Sequence, residues 1–526
     1  MVKTFKTSVS LVVMMILTVL LSACTSKKVQ PLSSKYLEFS TCYNIFPIAF
    51  ADSDGDGKGD LRGIIEQLDY LNDGDDETDE DLGIDCIWLN PIHPSPTYHK
   101  YDVIDYYAID PDFGTLDDFK ELIEEAHKRG IAVIIDFVIN HTSSEHEWFK
   151  KAKSGDKKYR NWYRWRKASD DSYSTLEGWV RAGDEYYFAS FWSEMPELNF
   201  ENKQVRQEIK RIAKYWLDFG VDGFRIDAAF HVYDNREYPI ETDVLTKNIE
   251  WFKEFNAYVK KVNKDAIIIS EIWQDMRTVS HFLPGMDAAF NFDLAESIVS
   301  GVNSRNTKNL SSVIERTQKT YHEARPGFYD SIFLTNHDQN RVMSRLNGNM
   351  EQAKLAAHVL FTLPGVSWVY YGEEIGMFGV KPDEQIREPF IWKEDRTALP
   401  NTRWVTSLYN TETPALETQK EAPDSLFNTY RTLIHLKKND LVLRKGDINV
   451  LSAPITALAF TRSYNEQTYL VIHNFSRLDK TFTLDGAMSN IIYQSHEENK
   501  VEGQDIHMVS SSTFIIEVTG SVTIDG

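Results

Sequence analysis

The amino-acid sequence predicts an α/β chain: a (β/α)8 barrel with a small domain inserted after its third strand and an antiparallel β-sandwich domain at the C-terminus. Three observations carry this expectation. From residue 41 to about 375, short β-rich runs alternate eight times with longer amphipathic stretches, the rhythm of parallel strands joined by helical crossovers. Several runs, such as Ala132-Val-Ile-Ile-Asp-Phe-Val-Ile139, are apolar without alternation, as suits strands buried on both faces. Beyond about residue 440 the texture turns to short alternating runs (Ala457-Leu-Ala-Phe-Thr-Arg, Thr468-Tyr-Leu-Val-Ile-His) separated by turn residues, the pattern of antiparallel sheet.

In chain order, the barrel strands are expected at Tyr43–Phe46, Cys86–Leu89, Ala132–Ile139, Gly223–Ile226, Ala266–Glu271, Ala288–Phe292, Ile332–Thr335 and Ser367–Tyr371. Amphipathic helices are expected at Leu116–Arg129, Lys203–Phe219 and Thr246–Val262. The barrel then occupies residues 37–140 and 202–440. The segment 141–201 shows no clean helical period but many aromatics (Trp148, Trp162, Trp165, Trp179, Tyr186, Tyr187, Trp192), which reads as an inserted domain with most rings in its core and some offered to ligand. Residues 441–526 form the C-terminal β domain.

The N-terminus reads as an address. Lys3 and Lys6 precede an apolar stretch, Leu11 to Leu21, that is short for a membrane span of roughly 20 residues. Leu21-Ser-Ala-Cys24 resembles the lipobox of bacterial lipoproteins, so residues 1–24 are expected to be a signal peptide, with Cys24 lipidated. Residues 25–36 then form a polar tether. An extracytoplasmic protein, lipid-anchored to the cell membrane or surface, follows. The remaining cysteines, Cys42 and Cys86, sit in separate apolar runs and are expected as buried free thiols. With 57 Lys+Arg against 79 Asp+Glu, the net charge of −22 argues against nucleic acid as a partner and leaves a neutral polymer unopposed. A monomer is expected.

In a (β/α)8 barrel the reactive groups lie at the C-terminal strand ends. Those ends supply Asp136, Asn140 and His141 after the third strand, Arg225 and Asp227 at the fourth, Glu271 at the fifth, and Asn336, His337 and Asp338 at the seventh. Three carboxylates from three strands, Asp227, Glu271 and Asp338, are costly neighbours unless chemistry uses them. Hydrolysis with retention needs an ionised nucleophile and a protonated acid/base about 5–5.5 Å apart. Arg225, two residues before Asp227 on the same side of a strand, is expected to keep Asp227 ionised. The apolar approach Ala266-Ile-Ile-Ile-Ser270 favours a protonated Glu271.

Asp136-Phe-Val-Ile-Asn-His141, Gly223-Phe-Arg-Ile-Asp-Ala228, Glu271-Ile-Trp273 and Phe333-Leu-Thr-Asn-His-Asp338 resemble, in order and spacing, the four signature regions of the α-amylase family of retaining glycoside hydrolases, over about residues 40 to 520. Family-like segments also lie at Gly83–Pro91 and Gly365–Glu373. The resemblance implies Asp227 as nucleophile, Glu271 as acid/base and Asp338 as transition-state stabiliser. It implies that His141, Arg225 and His337 contact the sugar being cleaved, with Tyr101 stacked beneath it and Asp102 accepting from its hydroxyls. Met195-Pro-Glu-Leu-Asn199 resembles members intermediate between the oligo-1,6-glucosidase and neopullulanase types. Phe230 stands before His231 where the fungal and animal amylases of that family carry a lysine, making Phe230 a candidate stacking surface beside His231.

Asp52-Ser-Asp54-Gly-Asp56-Gly-Lys58-Gly-Asp60 matches the opening of an EF-hand loop but has Gly63 at the twelfth position. Asp52, Asp54, Asp56, Asp60 and the Lys58 carbonyl are the candidate ligands of a structural Ca2+. The acidic stretch at 72–81 lacks that regularity and reads as a solvated loop. The activity these features suggest is α-amylase action on starch and maltodextrins. An exo-acting α-glucosidase, oligo-1,6-glucosidase or neopullulanase is the enzyme alternative, and a slow glucan-binding lipoprotein the alternative of another class.

Overall fold

The computed structural model describes residues 31–173 and 175–525. The signal segment, Cys24 and the tether as far as residue 30 lie outside the described residues. Among the described residues, no helix is long and apolar enough to cross a membrane.

The expected parallel barrel is present. Its strands are β1 (Thr41–Ile45), β2 (Cys86–Leu89), β3 (Ala132–Phe137), β4 (Gly223–Ile226), β5 (Ile267–Ser270), β6 (Ala288–Ala289), β7 (Ser331–Phe333) and β8 (Val366–Tyr370). They run β7-β8-β1-β2-β3-β4-β5-β6, and a parallel bridge from Phe290 to Ser331 joins the two ends. Side chains alternate in and out along each strand, so the inward set has a period of two. Cys42, Cys86 and Trp88, Ala132 and Ile134, Ile267 and Ile269, Phe333, and Val366 and Trp368 fill the barrel interior. Extending that parity toward the C-terminal ends reaches Asn90, Asp136, Glu271 and His337, so the packing that fills the barrel also aims its chemistry. Gly223 is required where β4 meets β5: a Cβ there would lie 2.3 Å from the Ile267 carbonyl oxygen.

The outer helices form where the spacing predicts. Helix α1 (Leu116–Lys128) buries Phe119, Leu122, Ile123 and Ala126, and Thr115 with Asp118 closes a capping box at its start, a device contributing about 1 kcal/mol. Helices α2 (Lys203–Phe219) and α3 (Val244–Val262) follow the same logic, Trp216 and Trp251 being fully buried anchors.

Two expectations need correction. Residues 33–36 belong to the fold and not to the expected tether: Tyr36 and Ser33 are fully buried in the barrel floor. The Tyr36 hydroxyl donates to the Asp330 carbonyl (3.1 Å) and lies 2.6 Å from Ser331 Oγ, while the Ser33 N–H donates to Asp287 Oδ1 (2.7 Å). A short polar run reads as linker in sequence, yet these hydrogen bonds satisfy the strand bases that a bare barrel would leave exposed. The second concerns the thiols. The β1–β2 register sets Cys42 directly opposite Cys86, both inward, and the two are joined as a disulfide with Cα atoms 4.6 Å apart. Sequence separation hid a pairing that strand register creates.

The insertion carries a short helix, Glu147–Lys153, where no helical period is legible because only Phe149 and Ala152 are buried. A three-stranded antiparallel sheet (Trp165–Lys167, Glu185–Phe188, Trp179–Ala182) accompanies it. Phe149 packs on Tyr163, Trp165 and Tyr187, so most of the aromatics are core. The C-terminal β domain is one continuous seven-stranded antiparallel sheet. Its longest pair, Lys480–Gln494 and Thr513–Asp525, shifts register at three points, and bulges bend strands. Side chains from both halves, among them Leu470, Ile472, Phe482, Ile506 and Phe514, share one core.

Candidate active site

Arg225 sits fully buried at the C-terminal end of β4 and ties three strands together. Its Nη1 donates to Asp136 Oδ1 (2.9 Å) and to Asp227 Oδ1 (2.7 Å), and its Nη2 lies 2.8 Å from Glu271 Oε2. The strand ends turn sharply here: Ala228 takes a left-handed φ of 46°, which brings its N–H to 3.3 Å from Glu271 Oε2. Burial pushes both Glu271 and Asp227 above the usual carboxylate range. Arg225 pulls each down, and the neighbouring carboxylates add to the rise. Arg225 therefore does not single out Asp227, as its sequence position suggested. It contacts both carboxyl groups.

Asp338 stands apart electrostatically. Burial alone would raise it, but the hydrogen bond from the His337 imidazole and the guanidinium groups of Arg387 and Arg225 outweigh burial and hold it well below the usual range. His337 Nε2 lies 3.1 Å from Asp338 Oδ2, and Arg387 Nη2 donates to Asp338 Oδ1 (2.9 Å). Arg387 is itself pinned by the His337 carbonyl (2.9 Å) and the Tyr98 hydroxyl (3.3 Å). Sequence reading missed Arg387, which lies on the loop following β8 with no motif around it.

Tyr101 stacks on His337 with an 8° angle between the rings, and its hydroxyl lies 2.6 Å from His337 Nε2 while donating to Asp136 Oδ2 (3.0 Å). His141 approaches the Tyr101 carbonyl (3.2 Å), and burial lowers its pKa to about 4, leaving it neutral. Tyr101, His141, Asp227, Glu271 and Asp338 line one open cavity of about 450 Å3 together with Phe191, Trp192, Met195, Trp273 and Arg387. Arg225 and His337 stand behind its wall. Asp102 is also behind it, fully buried, with Oδ1 accepting from Ser95 Oγ (2.6 Å) and from Thr97 Oγ1; Oδ2 has no partner among the described residues.

Phe230 and His231 do not line the cavity. The Phe230 ring packs near Phe282, and His231 Nδ1 is paired with Asp234 Oδ2 (2.8 Å). The aromatic wall is supplied instead by Phe191, between the rings of His141 and His231, by Trp192, and by Trp273. Trp273 is 53% exposed and stacked on Phe292 at 4.7 Å. Alternation could have flagged it, because Trp273 keeps the parity of Glu271. The Met195–Asn199 stretch staples the insertion to β3: Leu198 N–H donates to the Asn140 carbonyl (2.9 Å), and Glu197 is buried on Ser190, its pKa raised to about 7 by burial.

At the loop after β1, carboxylate oxygens of Asp52, Asp54 and Asp60 lie within 4.8 Å of one another. An all-oxygen, triply charged donor set suits a hard cation, which offsets the repulsion such a cluster otherwise suffers. Asp56 lies outside that group. Its Oδ1 accepts from the Lys58 N–H (2.7 Å), while the Lys58 ammonium pairs with Asp112 (2.9 Å).

Residues 44–446 match the family model described as the alpha amylase catalytic domain, and residues 457–515 match the alpha-amylase SusG C-terminal domain. The chain is 39% identical over 482 residues to Alpha-amylase 3 of Dictyoglomus thermophilum, covering 90% of this chain and 92% of that protein. It is 34% identical over 453 residues to the 4-alpha-glucanotransferase of Thermotoga maritima, covering 84% and 96% respectively. Among solved structures, the alpha-amylase from H. orenii superposes with a TM-score of 0.85 at 38% identity, covering 92% of this chain and all of that one. A barrel whose buried arginine gathers carboxylates from three strand ends, matched across most of its length, places the chain in the alpha-amylase family of glycoside hydrolases, with a SusG-type C-terminal domain.

Proposed function

We propose that the protein hydrolyses α-1,4-glucosidic bonds of starch and maltodextrins with retention. The observation that supports this best is the Arg225 hub, which holds Asp227 and Glu271 together at the edge of an open, aromatic-walled cavity. Asp227 attacks the anomeric carbon. Its Oδ1 is held by Arg225, which leaves the carboxylate oriented and supplies a counter-charge when it is ionised. Glu271, raised by burial, protonates the leaving glycosidic oxygen and then activates water to open the covalent intermediate. Asp338, ionised throughout the working range, stabilises the oxocarbenium-like charge from the other side. Tyr101 and His141 offer a ring face and a neutral imidazole to the sugar being cleaved.

Transfer to a second sugar is the other reading worth carrying. The covalent intermediate can be opened by a sugar hydroxyl in place of water, and an exposed ring such as Trp273, on the segment that carries the acid/base, gives an acceptor sugar a face to stand on. Product sizes from soluble starch, pullulan and maltotetraose, beside an Asp227→Asn control, separate these readings. A falling ladder of maltooligosaccharides supports endo-hydrolysis. Products longer than maltotetraose support transfer, glucose alone supports exo-cleavage, and no cleavage with glucan binding intact refutes the enzyme reading.

Calcium is the cation we assign to Asp52, Asp54 and Asp60, as a structural group that holds the loop and takes no part in the reaction. A chelator should lower Tm, and Asp54→Asn should abolish that sensitivity; equal chelator sensitivity in both would refute the assignment. Export and anchoring through Cys24 rest on the Leu21-Ser-Ala-Cys24 pattern. Incorporation of labelled fatty acid that is lost in Cys24→Ala tests them.

A further inference from the structure

A second cavity, also about 450 Å3, lies beside the catalytic one and takes no part in the chemistry described above. Its floor is apolar and fixed: Ile375 and Leu426 are each 1% exposed. Its wall carries two rings, half-buried Phe378 and Tyr409, the latter 41% exposed. Its rim carries the exposed carboxylates of Glu412 and Asp424.

The ring positions are built in. Glu388, fully buried, accepts from the backbone N–H groups of Leu408 (2.7 Å) and Tyr409 (3.0 Å) and from Asn410 Nδ2 (2.8 Å). Asn410 in turn exchanges two hydrogen bonds with the Phe378 backbone, Phe378 N–H to Asn410 Oδ1 (2.7 Å) and Asn410 Nδ2 to the Phe378 carbonyl (2.8 Å). A buried carboxylate spent on holding a half-exposed tyrosine is ordering applied before any ligand arrives. One chain segment connects the groove to the active site. The segment that follows β8 lines this groove at Ile375 and Phe378 and the catalytic cavity at Lys381, Asp383 and Arg387, so both open on the C-terminal side of the barrel.

We infer that this groove is a second binding site for α-glucan, engaging a stretch of the polymer that another part of the same chain presents to the catalytic cavity. The chemistry fits a sugar: pyranose rings offer apolar C–H faces to Tyr409 and Phe378, and hydroxyls in their plane to Glu412 and Asp424. A floor of aliphatic side chains and a rim of two carboxylates disfavour an anionic ligand. The inference rests on the α-glucan reading above and adds to it a site for polymer length.

The test uses the mature chain, with Asp227→Asn for binding and the otherwise unaltered enzyme for kinetics. Retardation of Asp227→Asn in native gels containing soluble amylopectin should weaken about tenfold when Tyr409→Ala is added. It should be retained with Tyr409→Phe, which keeps the ring. In the active enzyme, Tyr409→Ala should lower the ratio of kcat/KM on amylopectin to kcat/KM on maltotriose by a similar factor. Thermal denaturation confirms that each variant is folded. Unchanged retardation in folded Tyr409→Ala, or equal losses on polymer and trimer, overturns the second site while leaving the α-glucan reading intact. A parent that neither retards nor cleaves overturns both.

Discussion

Replacing Arg387 with methionine probes the side of the site that no sequence motif announces. The Arg387 guanidinium is almost fully buried and makes four hydrogen bonds: to Asp338 Oδ1 and the His337 carbonyl at 2.9 Å each, and to the Tyr98 hydroxyl and Asp383 Oδ2 at 3.3 Å each. The Asp338 side chain is 30% exposed, so water replaces part of what is lost, and His337 still faces its other oxygen. One charge-assisted hydrogen bond in such a setting contributes about 1.5–3 kcal/mol. If Asp338 loses that much of its orientation, kcat/KM falls about 10- to 150-fold. The sign of the pH effect follows from charge. Arg387 helps hold Asp338 below the ordinary carboxylate range, so its removal raises that pKa and moves the acidic limb of kcat/KM upward. The same depression contributes stability that is fully present above the unfolded carboxylate pKa of about 3.9 and is lost as pH falls through the folded value. Arg387→Met should therefore be destabilised most near neutrality. Arg387→Lys keeps the charge without the fork and should recover the pH limb better than the rate. The assay is initial rate on maltotetraose from pH 3 to 9. A variant within threefold of the parent, with a superimposable profile, would refute the reasoning.

Breaking the Cys42–Cys86 disulfide, which closes a separation of 44 residues inside the barrel, should cost about 2–4 kcal/mol in Cys86→Ala, read as a lower denaturation midpoint; an unchanged midpoint would mean the bond is not formed in solution. Trp273→Ala should reduce kcat/KM on maltotetraose about 5- to 30-fold, the loss of an aromatic contact near 1–2 kcal/mol, and shorten any transfer products; an unaltered product profile removes Trp273 from the acceptor side. Burial pushes Glu373 up to about 8 despite its bond to the Tyr430 hydroxyl (3.0 Å). Between an unfolded value near 4.3 and that folded value, each rise of one pH unit costs about 1.4 kcal/mol. Glu373→Gln should therefore flatten the fall of Tm from pH 5 to 8, and a parallel fall in both proteins would refute the assignment.

The barrel was legible because strand and helix periods differ and because both parities are visible in runs such as Ala266–Glu271. β2, β4 and α2 begin and end where the residues predict. The position of Glu271 at the barrel mouth was legible for the same reason, since inward parity carries Ile267 and Ile269 on to Glu271. What escaped depends on the third dimension. Arg387 and the groove around Tyr409 come from loops whose course is set by buried anchors such as Glu388, not by a period. The Cys42–Cys86 bond and the floor formed by Ser33 and Tyr36 arise from register and closure, which alternation does not encode. Phe230 pointed to a stacking role by position, but packing against Phe282 turns it aside while Phe191 and Trp192 take that wall.

Charge balance around Arg225 supports the assignment of the catalytic proton. Four carboxyl groups, those of Asp136, Asp227, Glu271 and Asp338, face two guanidinium groups, those of Arg225 and Arg387, while burial keeps His337 neutral and Asp383, also on Arg387, is offset by Lys381 (3.1 Å). Fully ionised, the cluster would carry two uncompensated negative charges in a buried site, which favours uptake of a proton. Asp338 is held too low to take it. Burial pushes Asp136 to about 7, but its oxygens already accept from Arg225, Tyr101 and Trp88, and a proton there would displace one of these donors. Asp227 accepts a direct hydrogen bond from Arg225 at 2.7 Å, which favours its ionised form. Glu271 accepts only the longer Ala228 N–H (3.3 Å) beside its Arg225 contact and lines the cavity, so it is the group that gains most from protonation. The site then carries one net negative charge against a transition state that develops positive charge, and a proton on Glu271 faces the cavity, where the proposed mechanism uses it.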